Sequence, residues 1–382
     1  MIDKEYLICS SCILDNVNVP NLAVNKDGIC NYCVDYNTDY IQNELSHSAK
    51  QEKLEEQLKV IKSIAKNNGY DCIMGLSGGV DSSYLAYLAK DWGLNPLLVH
   101  FDNGWNSELA VQNIEKIIQY TGFDLFTYVV DWEEFSDLQR SYVLAGVLDW
   151  EIPTDHGFYA CLFEQAYKKK IDNILTGHNY QTEAILPKNM RWSKLDVANI
   201  LDIQTKFGNK KLKTFPLLNF FKYTFITKVR DFKRYNLLEL IDYNKDEAKE
   251  IIINEMGWRD YGGKHYESIF TRFYQGYVLV EKFGIDKRRA HLSNLVLSGQ
   301  ITRDEALMEI EKPAYNQELL LEDKAYVIKK LGFTAAEFEN IMKQKPVPHT
   351  NFKSYETGLY RKHEKFMQSI KPITKIIKKI VK

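Results

Sequence analysis

Four short apolar runs, residues 71–76, 96–102, 125–131 and 171–176, have the length and make-up of buried strands. Between the first three, apolar positions recur at three- and four-residue steps over 83–90 and 108–120, and Gly93 and Gly122 follow as helix stops. Strands alternating with helices predict an α/β fold, a parallel doubly wound sheet whose ligands gather outside the carboxyl ends of the strands. Leu54, Leu58, Ile61 and Ala65 fall on one face of a charged helix that leads into this unit. Beyond Asn179 the pattern is mixed, and from about residue 244 it is mainly helical and charged. Residues 369–382 set Ile373, Ile376, Ile377, Ile380 and Val381 among five lysines, the pattern of a basic amphipathic helix. Its role as a solvated end, a contact with an anionic membrane surface or a partner contact stays open. The expected division is residues 1–45, 46–243 and 244–382.

Charge narrows the partners. Fifty basic residues stand against fifty-one acidic ones, a net charge of -1, so no global field recruits a polyanion and a nucleic-acid ligand is disfavoured. The N-terminus lacks a basic start followed by an apolar core, and no apolar run approaches the ~18 residues needed to cross a bilayer, so a cytoplasmic location is expected. In that reducing setting Cys9, Cys12, Cys30 and Cys33, spaced as two CxxC turns, are better read as ligands of one structural zinc ion than as disulfides. Cys72 lies inside an apolar strand, and Cys161 suits a buried helix, with a chemical role the less favoured alternative.

The candidate chemistry centres on residues 75–83, Gly-Leu-Ser-Gly-Gly-Val-Asp-Ser-Ser, placed between the first strand and the first helix of the alternation. Adjacent glycines let successive backbone N–H groups converge on an anion, and the helix N-terminus adds its positive end. A kinase-type phosphate loop would carry a lysine; here Asp81 stands instead. This pattern resembles the PP-loop of the ATP pyrophosphatase superfamily, the adenine nucleotide alpha hydrolase-like proteins, which bind ATP and release pyrophosphate whole. The resemblance implies that Asp81 helps hold Mg²⁺, that Ser77, Gly78, Gly79, Ser82 and Ser83 hold phosphate oxygens, that His100 and Asp102 lie beside the adenosine, and that Gly177 and His178 form the opposite wall. Glu183 is the expected further metal ligand, because Gln181 and Thr182 occupy positions where relatives often carry acids.

A second resemblance covers nearly the whole chain. The cysteine pairs, with 27–33 reading Asp-Gly-Ile-Cys-Asn-Tyr-Cys, join residues 75–83, residues 152–156 (Ile-Pro-Thr-Asp-His), residues 257–268 (Gly-Trp-Arg-Asp-Tyr-Gly-Gly-Lys-His-Tyr-Glu-Ser), residues 270–273 and residues 282–292 followed by Ser298. Together they resemble the N-acetyl sugar amidotransferases of lipopolysaccharide and surface-glycan biosynthesis. The implied reaction adenylates the amide oxygen of an N-acetyl sugar, nucleotide-activated or lipid-linked, and substitutes ammonia to give an acetamidino sugar, AMP and pyrophosphate. The implied ammonia source is a separate glutaminase resembling the subunit of imidazole-glycerol-phosphate synthase, often with a barrel-shaped conduit. Lys264 and Arg272, with the run Lys287, Arg288 and Arg289, are candidate cations for charge stabilisation or for gripping a sugar diphosphate or uronate. Asp155 and His156 are candidates for orienting the amide or moving a proton, or for a plain loop contact. The competing reading is a PP-loop tRNA-modifying enzyme of the thiolation or lysidine type.

Overall fold

A computed structural model describes residues 5–64, 69–229, 232–263 and 266–357. The expected parallel sheet is present, with β1 (Cys72–Gly75), β2 (Pro96–Asp102), β3 (Leu125–Val129) and β4 (Asn173–Leu175) where the apolar runs fall. A fifth strand, β5 (Lys233–Tyr235), escaped the sequence reading because three residues with two exposed charges carry no apolar run. The order is β3-β2-β1-β4-β5, all neighbours parallel. The chain therefore builds outward from β1 and then returns to β1's other side with β4. That reversal opens a crevice at the carboxyl ends of β1 and β4, the position where such sheets take ligands.

Alternation along the central strands divides two apolar layers, as a sheet covered on both faces requires. Cys72, Met74, Leu76 and Leu98 pack with Leu85, Ala89, Ile117 and Ile252, from the helices Val80–Asp91, Glu108–Thr121 and Lys245–Met256. Ile73, Leu97, Val99 and Ile174 pack on the other side with Ala160 and Phe163 of the helix Ile152–Lys168. Cys161 belongs to this second layer, and burial pushes its thiol up to about 12, a packing cysteine. The C-terminal third is helical: Ile269–Phe273, Leu279–Phe283, Arg288–Leu297, Arg303–Glu311, Gln317–Lys330 and Ala335–Lys343. No helix of the described residues is long and apolar enough to cross a membrane. The basic tail 369–382, Ala65, and Lys264 with His265 lie outside the described residues.

The helix Ile152–Lys168 approaches the sheet so closely that two positions exclude any side chain. A Cβ on Gly157 would stand 2.3 Å from the Phe101 ring, and one on Gly75 2.1 Å from the Phe158 ring. Overpacking of this kind costs ~1–3 kcal/mol. Gly157→Ala should therefore lower the urea midpoint by the equivalent of about 1–3 kcal/mol at unchanged slope; an unchanged midpoint would show that the ring can move aside freely.

Candidate active site

The loop after β1 is shaped by its own side chains. Gly78 takes φ +83°, a left-handed conformation that favours glycine, and Gly79 caps the helix Val80–Asp91. The Gly78 carbonyl receives two donors from the C-terminal region, Trp258 Nε1 at 2.9 Å and the Tyr261 hydroxyl at 2.9 Å. Because a trans peptide points its N–H opposite its carbonyl, this fixes the Gly79 N–H, which meets Ser77 Oγ at 3.2 Å. Ser82 and Ser83 donate to the Gly79 carbonyl at 3.1 and 2.8 Å, and Ser77 Oγ stands 3.2 Å from Ser82 Oγ. The Ser77 and Ser82 hydroxyls and the helix N-terminus thus meet at one concave wall, the arrangement that suits phosphate oxygens, whereas Ser83, expected there too, is fully buried and spends its hydroxyl on the Gly78 and Gly79 carbonyls, bracing the loop from behind.

Asp81 enters this wall with one oxygen already held. Its Oδ1 accepts from the Tyr243 hydroxyl and from Asn179 Nδ2 at 3.4 Å, while Oδ2 takes neither bond. Burial and the Asp81 charge push the Tyr243 hydroxyl well above its ordinary range, so it stays a donor. Across β4, Gly177 lies against Asp81, and the Glu183 carboxylate accepts from His178 Nδ1 across 3.2 Å; that bond lifts His178 above its usual value against the effect of burial. Asn179 caps the short turn by accepting from Thr182 N, and Gln181 and Thr182 are buried.

Three cavities surround the crevice. The first, about 480 Å³, is lined by Ser77, Gly79, Asp81 and Ser82 from the loop, Gly177 and Glu183 from the β4 side, and Lys245, Lys249 and Tyr261 from the C-terminal region. The second, about 520 Å³, shares Gly177 and Glu183 with it and runs under Phe158, Tyr159 and Phe163. The third, about 390 Å³, shares Lys245, Gly262, Gly263 and Leu295 with the first and extends to Arg272 and Lys287. Lys245, Lys249, Tyr243 and Trp258 were not chosen from the sequence as site residues. A cation in the first turn of a helix has no local signature; only the fold carries Lys245 to the glycine loop.

Several expected residues stand elsewhere. His100 and Asp102 line none of the three cavities: His100 is buried, with Nδ1 against the Leu76 carbonyl at 2.9 Å and Nε2 against Asn106 at 2.9 Å, and Asp102 accepts from Gly104 N. The wall expected there for adenosine is a brace between β1 and β2, and the aromatic-lined cavity lies instead between β1 and β4. His156 is fully buried, its Nδ1 donating to the Lys194 carbonyl at 2.8 Å and its Nε2 accepting from Leu218 N at 3.0 Å. With both nitrogens committed it has no hand for proton transfer. Asp155 pairs with Lys194 at 2.8 Å and lines none of the cavities, so these two residues tie a loop to the helix Ile152–Lys168. Arg272 does line the third cavity, held in a two-pronged pair by Asp323 at 2.6 and 2.8 Å.

The four N-terminal cysteines converge. Their Sγ atoms all lie within 4.8 Å of one another, with neighbouring pairs at 3.5 to 3.8 Å. A tetrahedron of thiolates about 2.3 Å from zinc places sulfurs ~3.8 Å apart, so the set fits that ion, and four sulfurs leave no open position for chemistry. Backbone N–H groups of Ser11, Cys12 and Cys30 point at Cys9 Sγ, and those of Leu14 at Cys12 Sγ, the support a thiolate needs. The module is clamped by the C-terminal region: Arg303 donates to the Cys9 and Cys12 carbonyls, Arg289 to the Ile13 carbonyl, and Asn18 Oδ1 accepts from Asp286 N at 2.6 Å.

The fold and the glycine loop define a PP-loop-type α/β protein. Residues 267–367 match the family described as LPS biosynthesis protein WbpG-like, C-terminal domain, which bears out the resemblance to a lipopolysaccharide-biosynthesis family. Among curated proteins, an uncharacterized protein of Methanocaldococcus jannaschii is 24% identical over 81% of this chain and 95% of its own length. A tRNA(Ile)-lysidine synthase of Chlamydia pneumoniae is 30% identical over 30% of this chain and 34% of its length, and the tRNA-specific 2-thiouridylase of Clostridioides difficile is 26% identical over 48% and 50%. Solved structures similar to this one include an NMN synthetase from Francisella tularensis, TM-score 0.32, 15% identical over 80% of this chain and 99% of that one. Another is an NH3-dependent NAD synthetase from Campylobacter jejuni, TM-score 0.30, 14% identical over 75% and 97%.

Two outcomes follow from this geometry. Metal analysis of the purified protein should find about one zinc per chain, and Cys12→Ser should abolish it and lower the melting temperature; a full-length, folded protein without metal would contradict the fit. Burial also holds His156 and His349 to about 4, below the unfolded value of ~6.5, so both are neutral in the fold. Their contribution is complete above pH ~6.5 and is lost as pH falls through 4, up to ~3 kcal/mol each. Urea midpoints measured from pH 7.5 to 4.5 should fall less steeply for His156→Gln than for the parent; parallel curves would refute the assignment.

Proposed function

We propose that the protein is an ATP-dependent, AMP-forming amidotransferase that converts an acetamido group of a sugar into an acetamidino group. The observation carrying this reading is the lysine-free cradle of Ser77–Ser83 opening onto a cavity whose far wall is built by Lys245, Lys249, Trp258 and Tyr261, with Glu267 and Leu295 from the segment that matches the lipopolysaccharide-biosynthesis domain. The cradle hydroxyls and N–H groups suit the outer phosphates of ATP, and the cavity under Phe158 and Tyr159 suits its base. Asp81, with Glu183, would hold Mg²⁺, which screens charge on the phosphate oxygens.

With the outer phosphates held, the amide oxygen of the sugar attacks the α-phosphorus, and the bond to the bridging oxygen breaks to release pyrophosphate. The acetamido oxygen, a poor leaving group, thereby becomes part of an imidate phosphate ester. Ammonia adds to the imidate carbon, AMP leaves with that oxygen, and the amidine retains the proton it needs. Lys245, at the border of the two cavities, supplies a positive charge beside the departing pyrophosphate. The six cysteines are either in the N-terminal cluster or buried in the core, so ammonia is taken from a separate glutaminase, directly or through a conduit subunit.

A tRNA-modifying enzyme is the second reading, favoured by the two tRNA-specific relatives. The reactions separate the two. Protein supplied with ATP, ammonium and an N-acetylated nucleotide sugar should yield AMP and pyrophosphate in step with amidine, and Asp81→Asn should lower kcat about 100-fold or more. ADP as product, or turnover only with tRNA, would defeat the proposal.

A further inference from the structure

We infer that the cavity of about 390 Å³ beside the cradle is the subsite for the diphosphate that carries the sugar. This deepens the amidotransferase reading and rests on it only for the identity of the sugar; the anion chemistry stands on the cavity itself. Five cationic side chains line it, Lys245, Arg272, Lys287, Arg288 and Lys312, against two carboxylates, Asp286 and Glu309. Each of those carboxylates already has a cation, Arg288 at 2.7 Å and Lys312 at 2.6 Å. Among the described residues no carboxylate stands within 4.0 Å of the Lys245 ammonium, and Lys287 has only Glu151 at 3.9 Å. Arg272, Arg288 and Lys312 are each closely paired, so the charge left for a ligand centres on Lys245 and on Lys287, whose one contact is long, and a diphosphate brings two to three negative charges to meet it.

The remaining lining suits a sugar at the near end of that diphosphate. Arg272 commits its Nε and Nη2 edge to Asp323, whose second load is the Tyr315 hydroxyl, so the guanidinium is oriented in advance and its Nη1 lies outside the fork. Tyr266, stacked on Tyr315 at 6.1 Å, offers an aromatic wall, and Gln275 is a neutral hydrogen-bonding group. The two glycines 262 and 263 and Lys245 belong to both cavities, so a molecule anchored here extends into the cradle where the amide must meet ATP. A cavity of this volume suits a small molecule.

The test measures binding, without turnover. Full-length protein saturated with α,β-methylene-ATP is titrated with UDP, UDP-N-acetylglucosamine, a short-chain prenyl diphosphate N-acetylglucosamine and uncharged N-acetylglucosamine. Diphosphate-bearing probes should bind, with weakening at higher salt. Lys287→Gln and Lys312→Gln should each weaken them roughly tenfold, the loss of one charge-assisted contact, while α,β-methylene-ATP affinity stays unchanged. Preference for UDP probes would assign the carrier to a nucleotide and preference for the prenyl probe to a lipid; either supports the diphosphate subsite. Lys312, two-thirds exposed at the rim, keeps the test valid if Lys287→Gln fails to fold. Competition with the ATP analogue, equal binding of uncharged N-acetylglucosamine, or no response to both substitutions would overturn the subsite. Sugar-dependent AMP formation with unchanged KM in both variants would reject the subsite yet keep the amidotransferase reading. Subsite binding without AMP formation would do the reverse.

Discussion

One carbonyl oxygen, that of Gly78, organises the crevice. It receives the Trp258 indole and the Tyr261 hydroxyl, so the glycine loop at the end of β1 and the region more than 170 residues later are tied at a single point. Buried carbonyls that accept two side-chain donors are costly to leave bare. Ser83 supplies a third, local donor at 3.2 Å, so the docked C-terminal region adds to a loop that its own serines already brace. The bridge between Asn106 and Ser268, with Ser107 N donating to the Glu267 carbonyl, adds a second seam on the β2 side. Sheet and helical third are therefore parts of one site.

Where apolar pattern and local turn chemistry agree, the sequence was enough. The first four strands, the glycine stops at Gly93 and Gly122, the cradle and the convergent cysteines are all local statements, and each rests on a spacing or on a conformation that few residues accept. What stayed hidden depended on distance. β5 is a short, polar edge strand recognisable only by its pairing with β4, and Lys245 and Tyr243 matter only because the helix Lys245–Met256 lies against the helix Val80–Asp91. His100 and His156 misled for the same reason. A histidine next to a strand or a helix start suggests chemistry until both nitrogens are seen to hold backbone or amide groups.

The run Lys287, Arg288 and Arg289 shows how adjacent charges with one appearance take three fates. On a helix, consecutive residues point about 100° apart. Arg289 turns to the cysteine module and its Asp15, while Arg288 grips Asp286 and the last carbonyls of the helix Arg303–Glu311. Lys287 remains beside the cavity, near buried Glu151. Net charge hides all of this, since a near-neutral total is compatible with cations concentrated where a small anion is to be held.

The clasp of Arg303 on the Cys9 and Cys12 carbonyls joins groups 291 and 294 residues apart. At a synthesis rate of ~5–20 residues per second, about 15 to 60 s separate the emergence of the two partners from the ribosome. The cysteine cluster is complete in sequence long before its seat exists, so a metal held by its four thiols would let it stand alone through most of translation. Its chelation by four adjacent thiols, which needs no distant residue, is the property that makes this wait survivable.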